Sequence, residues 1–391
     1  MSYGTVKMIK KDTKKDSHVV TCDRCIIDDS IPGIVFDTNH VCNYCKWHDG
    51  MDLKYPINTK LFDDLIDRIK KDGTGKEYDA VIGVSGGCDS SYLLSLMHDE
   101  GLRLLAVHMD NGWDTIIAER NIKRMTKVLD VPLQTVKVDL KVFDSLCRSF
   151  LLAGTPDADI PNDLCLLDVV QQVALDNDIH WNLSGHSFRT EGTAPLGWTY
   201  MDGGYLEDVN KRFEDIDLGD FPHLSWDKQK EYWDYGLHNI RPLYHIDYNK
   251  ENTINYLIYT FGWEWYKGLH AENIYTKFVG RYLWPRKFGI DYRRIEYSAL
   301  IRSDQINRTA ALDALKKEPV FESEYLDMIK KRLLLTDKDL DSIMDNPVHN
   351  YKEFNNYLPR FRDPENRAYF VELLADQKIP CTFYNKYIEG I

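Results

Sequence analysis

Leu61, Phe62, Leu65, Ile66 and Ile69 recur at three- and four-residue spacing, which predicts an amphipathic helix over residues 58–71. The pattern then changes period. Val81, Ile82 and Val84 form a short apolar, β-branched run that predicts a strand over residues 79–84. A turn at residues 85–90 and a helix over 89–100 follow, the helix stopped by Gly101. Residues 104–109 read as a second buried strand, ending in the polar turn 110–113. Next come a helix over 115–129 with apolar Ile117, Ile122, Met125 and Val128, and a strand over 134–139. A loop holding Pro156 and Pro161 leads to a helix over 163–177 with Asn162 and Asn177 at its ends. Strands over 180–183 and 239–244 follow, and Lys250 and Glu251 open a further helix. Strands alternating with helices at this spacing imply an α/β fold with a parallel sheet and helices on both faces. From residue 297 the pattern is helical, with Leu300, Ile301, Leu312 and Leu315 in a first block, and Pro319 and Thr336 punctuating later helices.

These patterns divide the chain into four parts. Residues 1–50 form an N-terminal segment with a cysteine knuckle, and 51–78 a connecting helix. Residues 79–260 are the sheet domain, and 261–391 a mainly helical C-terminal domain. The first 18 or so residues are rich in lysine and polar side chains, without an apolar face, and read as a flexible or edge segment.

Composition narrows the class. The hydrophobic share is 43% and the charged share 28%, as in soluble globular proteins. No run approaches the roughly 18 apolar residues of a membrane span, and no apolar signal core opens the chain, so the expected location is cytoplasmic, without a membrane. The net charge of −13 speaks against a nucleic-acid partner, because the phosphate term needs a basic surface. Eight cysteines in such a chain point to metal binding before disulfides. Cys22 and Cys25, then Cys42 and Cys45, form two C-x2-C pairs separated by 16 residues, the pattern of a four-thiolate metal site. Zinc is favoured over iron. A closed site with four protein ligands serves folding and not catalysis. His40 and His48 lie nearby and read as bystanders. Cys88, Cys147 and Cys165 are scattered and read as small packing residues.

Three polar turns end strands and should share one edge of the sheet, where ligands bind in such folds. In the first, Ser85-Gly86-Gly87-Cys88-Asp89-Ser90, two glycines let the backbone approach a ligand closely. The helix behind it turns its unpaired N–H groups toward a phosphate. The spacing and lysine of the Walker-type loop are absent. In the second turn, Asp110 and Asn111 are candidates for adenine and ribose, or else a turn and cap pair. The third runs from Ser184 and Gly185 to Gly192. It offers His186 as a proton handler, Arg189 as a phosphate partner and Glu191 as a magnesium ligand. Trp226, Tyr232, Trp233, Tyr235, Trp263 and Trp265 suit either packing, the preferred reading, or a sugar-stacking wall.

The first turn resembles the pyrophosphate (PP) loop of the N-type ATP pyrophosphatases. Together with the cysteine knuckle, further stretches make a narrower match: IRPLYHIDYNKE at 240–251, FGW and LHAEN within 261–273, KFGIDYRR at 287–294, and ALIRSDQINRTAALDAL at 299–315. Over residues 22–319 the chain resembles the N-acetyl sugar amidotransferases, which convert an acetamido group on a bacterial surface-polysaccharide sugar to an acetamidino group. The third turn departs from that pattern toward the general superfamily form, which leaves the substrate contacts open. The resemblance implies a PP-loop domain of the adenine nucleotide α-hydrolase-like type, using ATP and Mg2+ beside a structural Zn2+. It implies adenylylation of the N-acetyl oxygen, with pyrophosphate leaving into a loop where Ser85, Gly87, Ser90 and Ser91 donate. Asp89 would hold the helix start or a magnesium-bound water. Arg189, Arg241 and Lys250 are candidate cations for the leaving group, and His270 and Glu272 for substrate or ammonia handling. The implied partners are an N-acetylated sugar, nucleotide-linked or a free nonulosonic acid, and a separate glutaminase subunit supplying ammonia, with a barrel-type subunit as a candidate channel. A tRNA sulfur-transferase of the same superfamily and a non-catalytic nucleotide-binding scaffold are the alternatives.

Overall fold

The computed structural model describes residues 19–266, 268 and 270–390. The N-terminal segment expected to be flexible lies outside the described residues. After two metal-knuckle turns come α1 (Asn43–Lys54) and α2 (Thr59–Asp72). The sheet region then runs β1 (Ala80–Gly83), α3 (Cys88–Asp99), β2 (Leu104–Asp110), α4 (Ile116–Val128) and β3 (Leu133–Lys137). It continues with α5 (Leu140–Ala153), α6 (Ile160–Asp176), β4 (Trp181–Leu183), α7 (Gly203–Phe213), α8 (Trp226–Tyr235), β5 (His238–Ile240) and α9 (Lys250–Phe261). The rest is helical: α10 (Ile274–Phe278), a π-type turn over Val279–Phe288, α11 (Arg293–Arg302), α12 (Arg308–Leu315), α13 (Ser323–Arg332) and α14 (Asp337–Asp345), then shorter pieces to residue 389.

All five strands are parallel, in the order β3-β2-β1-β4-β5. Alternation along β1 and β2 assigns the two faces. Ala80, Ile82, Leu104 and Ala106 pack with Phe62, Ile66 and Ile69 of α2, Leu93 and Met97 of α3, Ile122 and Met125 of α4, and Leu257 of α9. Val81, Leu105 and Val107 pack on the other face with Phe143, Leu146 and Phe150 of α5 and Leu164, Val170 and Val173 of α6. The chain winds outward from β1 to β3, then returns to add β4 on the other side. The switch point therefore lies between β1 and β4, which brings the turns after those strands to one crevice.

Three sequence expectations change. α5 was not anticipated, although Phe143, Leu146, Cys147 and Phe150 keep helical spacing up to the left-handed Gly154 at φ 65°. α6 starts at Ile160, so Pro161 lies in its first turn, where a missing N–H breaks no bond, and Asn162 is inside the helix. β5 is only three residues long, because Pro242 opens a 3-10 turn over Pro242–Tyr244 where a strand over 239–244 was expected. Among the described residues no helix is long and apolar enough to cross a membrane.

Candidate active site and metal centre

α3 begins behind Gly87, which adopts extended geometry and offers no side chain to cap the helix. The first turn of α3 is thus left without a side-chain cap, an arrangement that suits an anion. Gly86 is at φ +75°, and a Cβ there would lie 2.4 Å from the Ala118 carbonyl oxygen, so only glycine fits. Its own carbonyl accepts from Asn121 Nδ2 at 3.2 Å and Trp263 Nε1 at 3.1 Å, which pins the loop to α4 and to the indole beneath it. Trp263 is therefore a packing residue. Gly185 brings the third turn onto the start of α3: a Cβ there would stand 2.9 Å from both the Asp89 carbonyl carbon and the Ser90 nitrogen.

The Ser85 hydroxyl joins the loop to the C-terminal region. It accepts from the Gly87 N–H, meets Ser90 Oγ and donates to Glu272 Oε1, each at 3.3 Å. Glu272 Oε2 is buried without a hydrogen-bond partner among the described residues. A carboxylate thus rests against the loop expected to receive phosphate. Asp89 does not cap the helix. Its carboxylate binds Lys250 Nζ at 2.5 Å and accepts from the Tyr248 hydroxyl. Burial disfavours the Lys250 ammonium, but Asp89, Cys88 and Glu191 together raise its proton affinity.

These groups line a cleft of about 1240 Å³. Ser85, Gly87, Asp89 and Ser90 border it, as do Asn111, Gly185, His186, Glu191, Arg241 and His270. Five of the expected site residues do not, Lys250 among them because it is tied to Asp89. Gly86 faces α4. Ser91 is buried inside the turn. Asp110 closes its own turn by accepting from the Gly112 N–H at 3.0 Å. Arg189 is turned away: it binds Asp52 of α1 at 2.7 Å and the carbonyls of Tyr244 and Tyr55 at 2.7 and 2.8 Å. With these bonds made, Arg189 ties α1 to the third turn, and of the three candidate cations it is Arg241, whose Nε has no partner among the described residues, that borders the cleft.

Glu191 is buried, and burial reinforced by Asp89 raises its carboxyl to about 7. Its Oε1 accepts from the Ser187 N–H at 3.3 Å, and its Oε2 lies 3.7 Å from His270 Nε2. Enclosure in the cleft opposes charge on His270, but Glu191, Glu272 and Asp163 raise its proton affinity. His186 meets the Tyr244 hydroxyl at 2.9 Å, and burial holds its imidazole well below the usual range. Asn111 is buried by its bonds to Asn162 at 2.8 Å and Asn273 at 3.3 Å. His108 was missed in the sequence. Its Nδ1 faces the Val84 carbonyl at 3.1 Å and its Nε2 faces Asp114 at 3.3 Å, so both nitrogens see acceptors. Burial disfavours the imidazolium, yet Asp114 more than restores it. A polar residue two positions from the end of an apolar strand was the signal available.

The four knuckle cysteines are buried, with sulfurs 3.6 to 3.9 Å apart where they contact. A tetrahedron of Zn–S bonds near 2.3 Å has an S···S edge of about 3.8 Å, so the four thiols fit zinc. No other such group of metal-binding side chains occurs among the described residues. His48 is instead near Asp52 and Ser303. Cys88, Cys147 and Cys165 are buried apart from the cluster. The surrounding cations come from the far end of the chain. Arg302 of α11 donates to Cys45 and Cys25 Sγ, both at 3.3 Å. Arg308 donates to the carbonyls of Cys25 and Cys22, and Arg294 pairs with Asp28 at 2.9 Å.

Those arginines fall within residues 272–364, which match the family model described as LPS biosynthesis protein WbpG-like, C-terminal domain. This region is similar to the C-terminal domain of WbpG-like proteins. The match covers about a quarter of the chain and includes the motifs at 287–294 and 299–315 on which the narrower sequence resemblance rested. The matched region supplies Glu272 to the glycine turn and Arg302 to the cysteine sulfurs. Its Arg332 holds the second turn, donating to the Asn111 and Gly112 carbonyls and lying 3.9 Å over Trp113. No curated protein matches the chain. Among solved structures, NMN synthetase from Francisella tularensis is 12% identical, with 75% of this chain and 98% of that one covered at a TM-score of 0.32. The NH3-dependent NAD synthetase from Campylobacter jejuni is 11% identical, with 74% and 98% covered at 0.30. A predicted subunit of tRNA methyltransferase from Methanocaldococcus jannaschii is 15% identical, with 55% and 90% covered at 0.30. At these scores the likenesses carry no argument.

Proposed function

We propose that the protein is an ATP-dependent, AMP-forming amidotransferase of bacterial surface-polysaccharide biosynthesis, acting on an N-acetylated sugar. The observation that carries this reading is the uncapped α3 start behind Gly86 and Gly87, opening into a cleft whose far wall includes the WbpG-like domain. The amide oxygen of the acetamido group attacks the α-phosphorus of ATP, and pyrophosphate leaves into the loop. Ammonia then adds to the imidate carbon, and AMP departs with the former amide oxygen, leaving an acetamidino group.

Charge developing on the leaving pyrophosphate is met by the α3 N–H groups and by Arg241. Lys250 keeps Asp89 neutralised beside the loop, so that carboxylate does not repel the phosphates. His270, backed by Glu191, takes the proton that ammonia sheds as it adds. Magnesium, when bound with ATP, neutralises phosphate charge, and the orphaned Glu272 carboxylate oxygen fits such an ion. The ammonia source in this reading is a separate glutaminase subunit.

Release of AMP and pyrophosphate from ATP tests the reading. It should require both an acetamido sugar and ammonia. Release that needs tRNA and a sulfur donor instead would sink it, and no release under any condition would favour a scaffold.

A further inference from the structure

The cleft exceeds what ATP needs. Sites for single drug-sized ligands run to roughly 300–1,000 Å³, and this one is about 1240 Å³. The surplus extends from the phosphate loop toward the last turn of the chain, a segment beyond the WbpG-like domain. Lys386 and Asp163 there are incompletely used, as is the buried Asp157 Oδ2, which has no hydrogen-bond partner among the described residues. Lys386 Nζ donates to the Thr199 carbonyl at 3.0 Å and Oγ1 at 2.7 Å, leaving one N–H unspent, and no described carboxylate lies within 4.0 Å. Asp163, near the start of α6, is open to the cleft, and its carboxylate has no hydrogen-bond partner among the described residues. Yet the two sense each other: burial lowers the Lys386 ammonium to about 8 while Asp163 and then Asp157 act to raise it, and burial raises the Asp163 carboxyl to about 6 while His270 and then Lys386 act to lower it.

Opposite charges held apart across a cleft select for a group that satisfies both. A hydroxyl accepts from an ammonium and donates to a carboxylate at once. A ligand carboxylate can only accept, so it would meet Lys386 but confront Asp163. We propose that Lys386 and Asp163 form the acceptor subsite and grip neighbouring or shared hydroxyls of the sugar ring, with any acidic group of that sugar lying elsewhere. This inference rests on the amidotransferase reading above. The cleft supports it by presenting both signs of charge along its lining, with Asp89, Glu191 and Asp163 beside Arg241, His270 and Lys386. A polyol laid in that cleft meets both donors and acceptors.

The test is a saturation-transfer NMR titration of the full-length protein. The probes are UDP-N-acetylglucosamine and, separately, N-acetylneuraminic acid, with α,β-methylene-ATP titrated in parallel. Lys386→Met and Asp163→Asn should each weaken sugar binding roughly tenfold to a hundredfold, the range for a lost charged hydrogen bond, with the nucleotide affinity unchanged. Lys386→Arg should recover part of the loss, which a packing role for the lysine stem would not require. Should Lys386→Met lose nucleotide binding as well, Asp163→Asn decides, being isosteric. Sugar binding equal to wild type in both variants overturns the subsite and leaves the amidotransferase reading standing. Wild-type protein that binds neither probe, and shows no acetamido-sugar-dependent AMP release, overturns that reading and the subsite with it.

Discussion

Replacing Arg302 with methionine removes the cation that faces the thiolates while keeping much of the side-chain volume. A zinc ion with four thiolates carries a net charge of −2, and the site lies in the protein interior. Arg302 offsets half of that charge through two N–H···S contacts at 3.3 Å. Each charge-assisted bond is worth about 1.5–3 kcal/mol. Loss of outer-shell partners commonly lowers metal affinity by about 10- to 100-fold, or about 1.4–2.7 kcal/mol. Arg302→Met should therefore bind zinc about 10- to 100-fold more weakly, read by competition with a chromogenic chelator at equilibrium. Arg308→Met serves as the control, since its partners are carbonyls and not sulfurs. Zinc affinity within twofold of wild type in Arg302→Met would refute the electrostatic argument.

Three further outcomes follow from the cleft. Gly86→Ala forces a side chain into a left-handed position 2.4 Å from the Ala118 carbonyl, and should lose ATP binding and about 2–4 kcal/mol of stability by urea denaturation; wild-type values for both would mean the loop is misdrawn. Asp89→Ala should abolish AMP formation with zinc still bound, but at a cost of about 3 kcal/mol in stability because the Lys250 ammonium loses its partner. Asp89→Asn, uncharged beside the phosphates, should recover part of that stability and part of the activity, and an Asn variant as inactive as Asp89→Ala would show that the neutralised ion pair is not what the mechanism needs there. Glu191 has its carboxyl raised to about 7 from an unfolded value near 4.5, so stability is fully present below 4.5 and falls as pH rises to about 7. Between pH 4 and pH 8, Glu191→Gln should gain about 3 kcal/mol relative to wild type in denaturation midpoints, and a pH-independent difference would contradict the assigned burial.

The sequence by itself determined the elements whose cause is local. The apolar, β-branched run of β1, the amphipathic stripe of α2 and the capping residues Asn58 and Thr115 follow from side-chain pattern and backbone chemistry within a few residues. So does the metal centre, because C-x2-C spacing alone brings two thiolates to one ion. The glycine loop was legible for the same reason: Gly86 needs its own positive φ. What the sequence could not rank was which polar residues face the cleft. Arg189 and Arg241 look equivalent as strings, yet one is consumed by Asp52 and two carbonyls while the other reaches the cavity. That difference arises from α1 packing against the third turn, a contact between residues 137 apart. The same holds for Glu272 on the glycine turn and Arg302 on the cysteine sulfurs. Each pairs groups far apart in the chain, where local pattern carries no information and only the winding of strands and the packing of the helical region bring charge to charge.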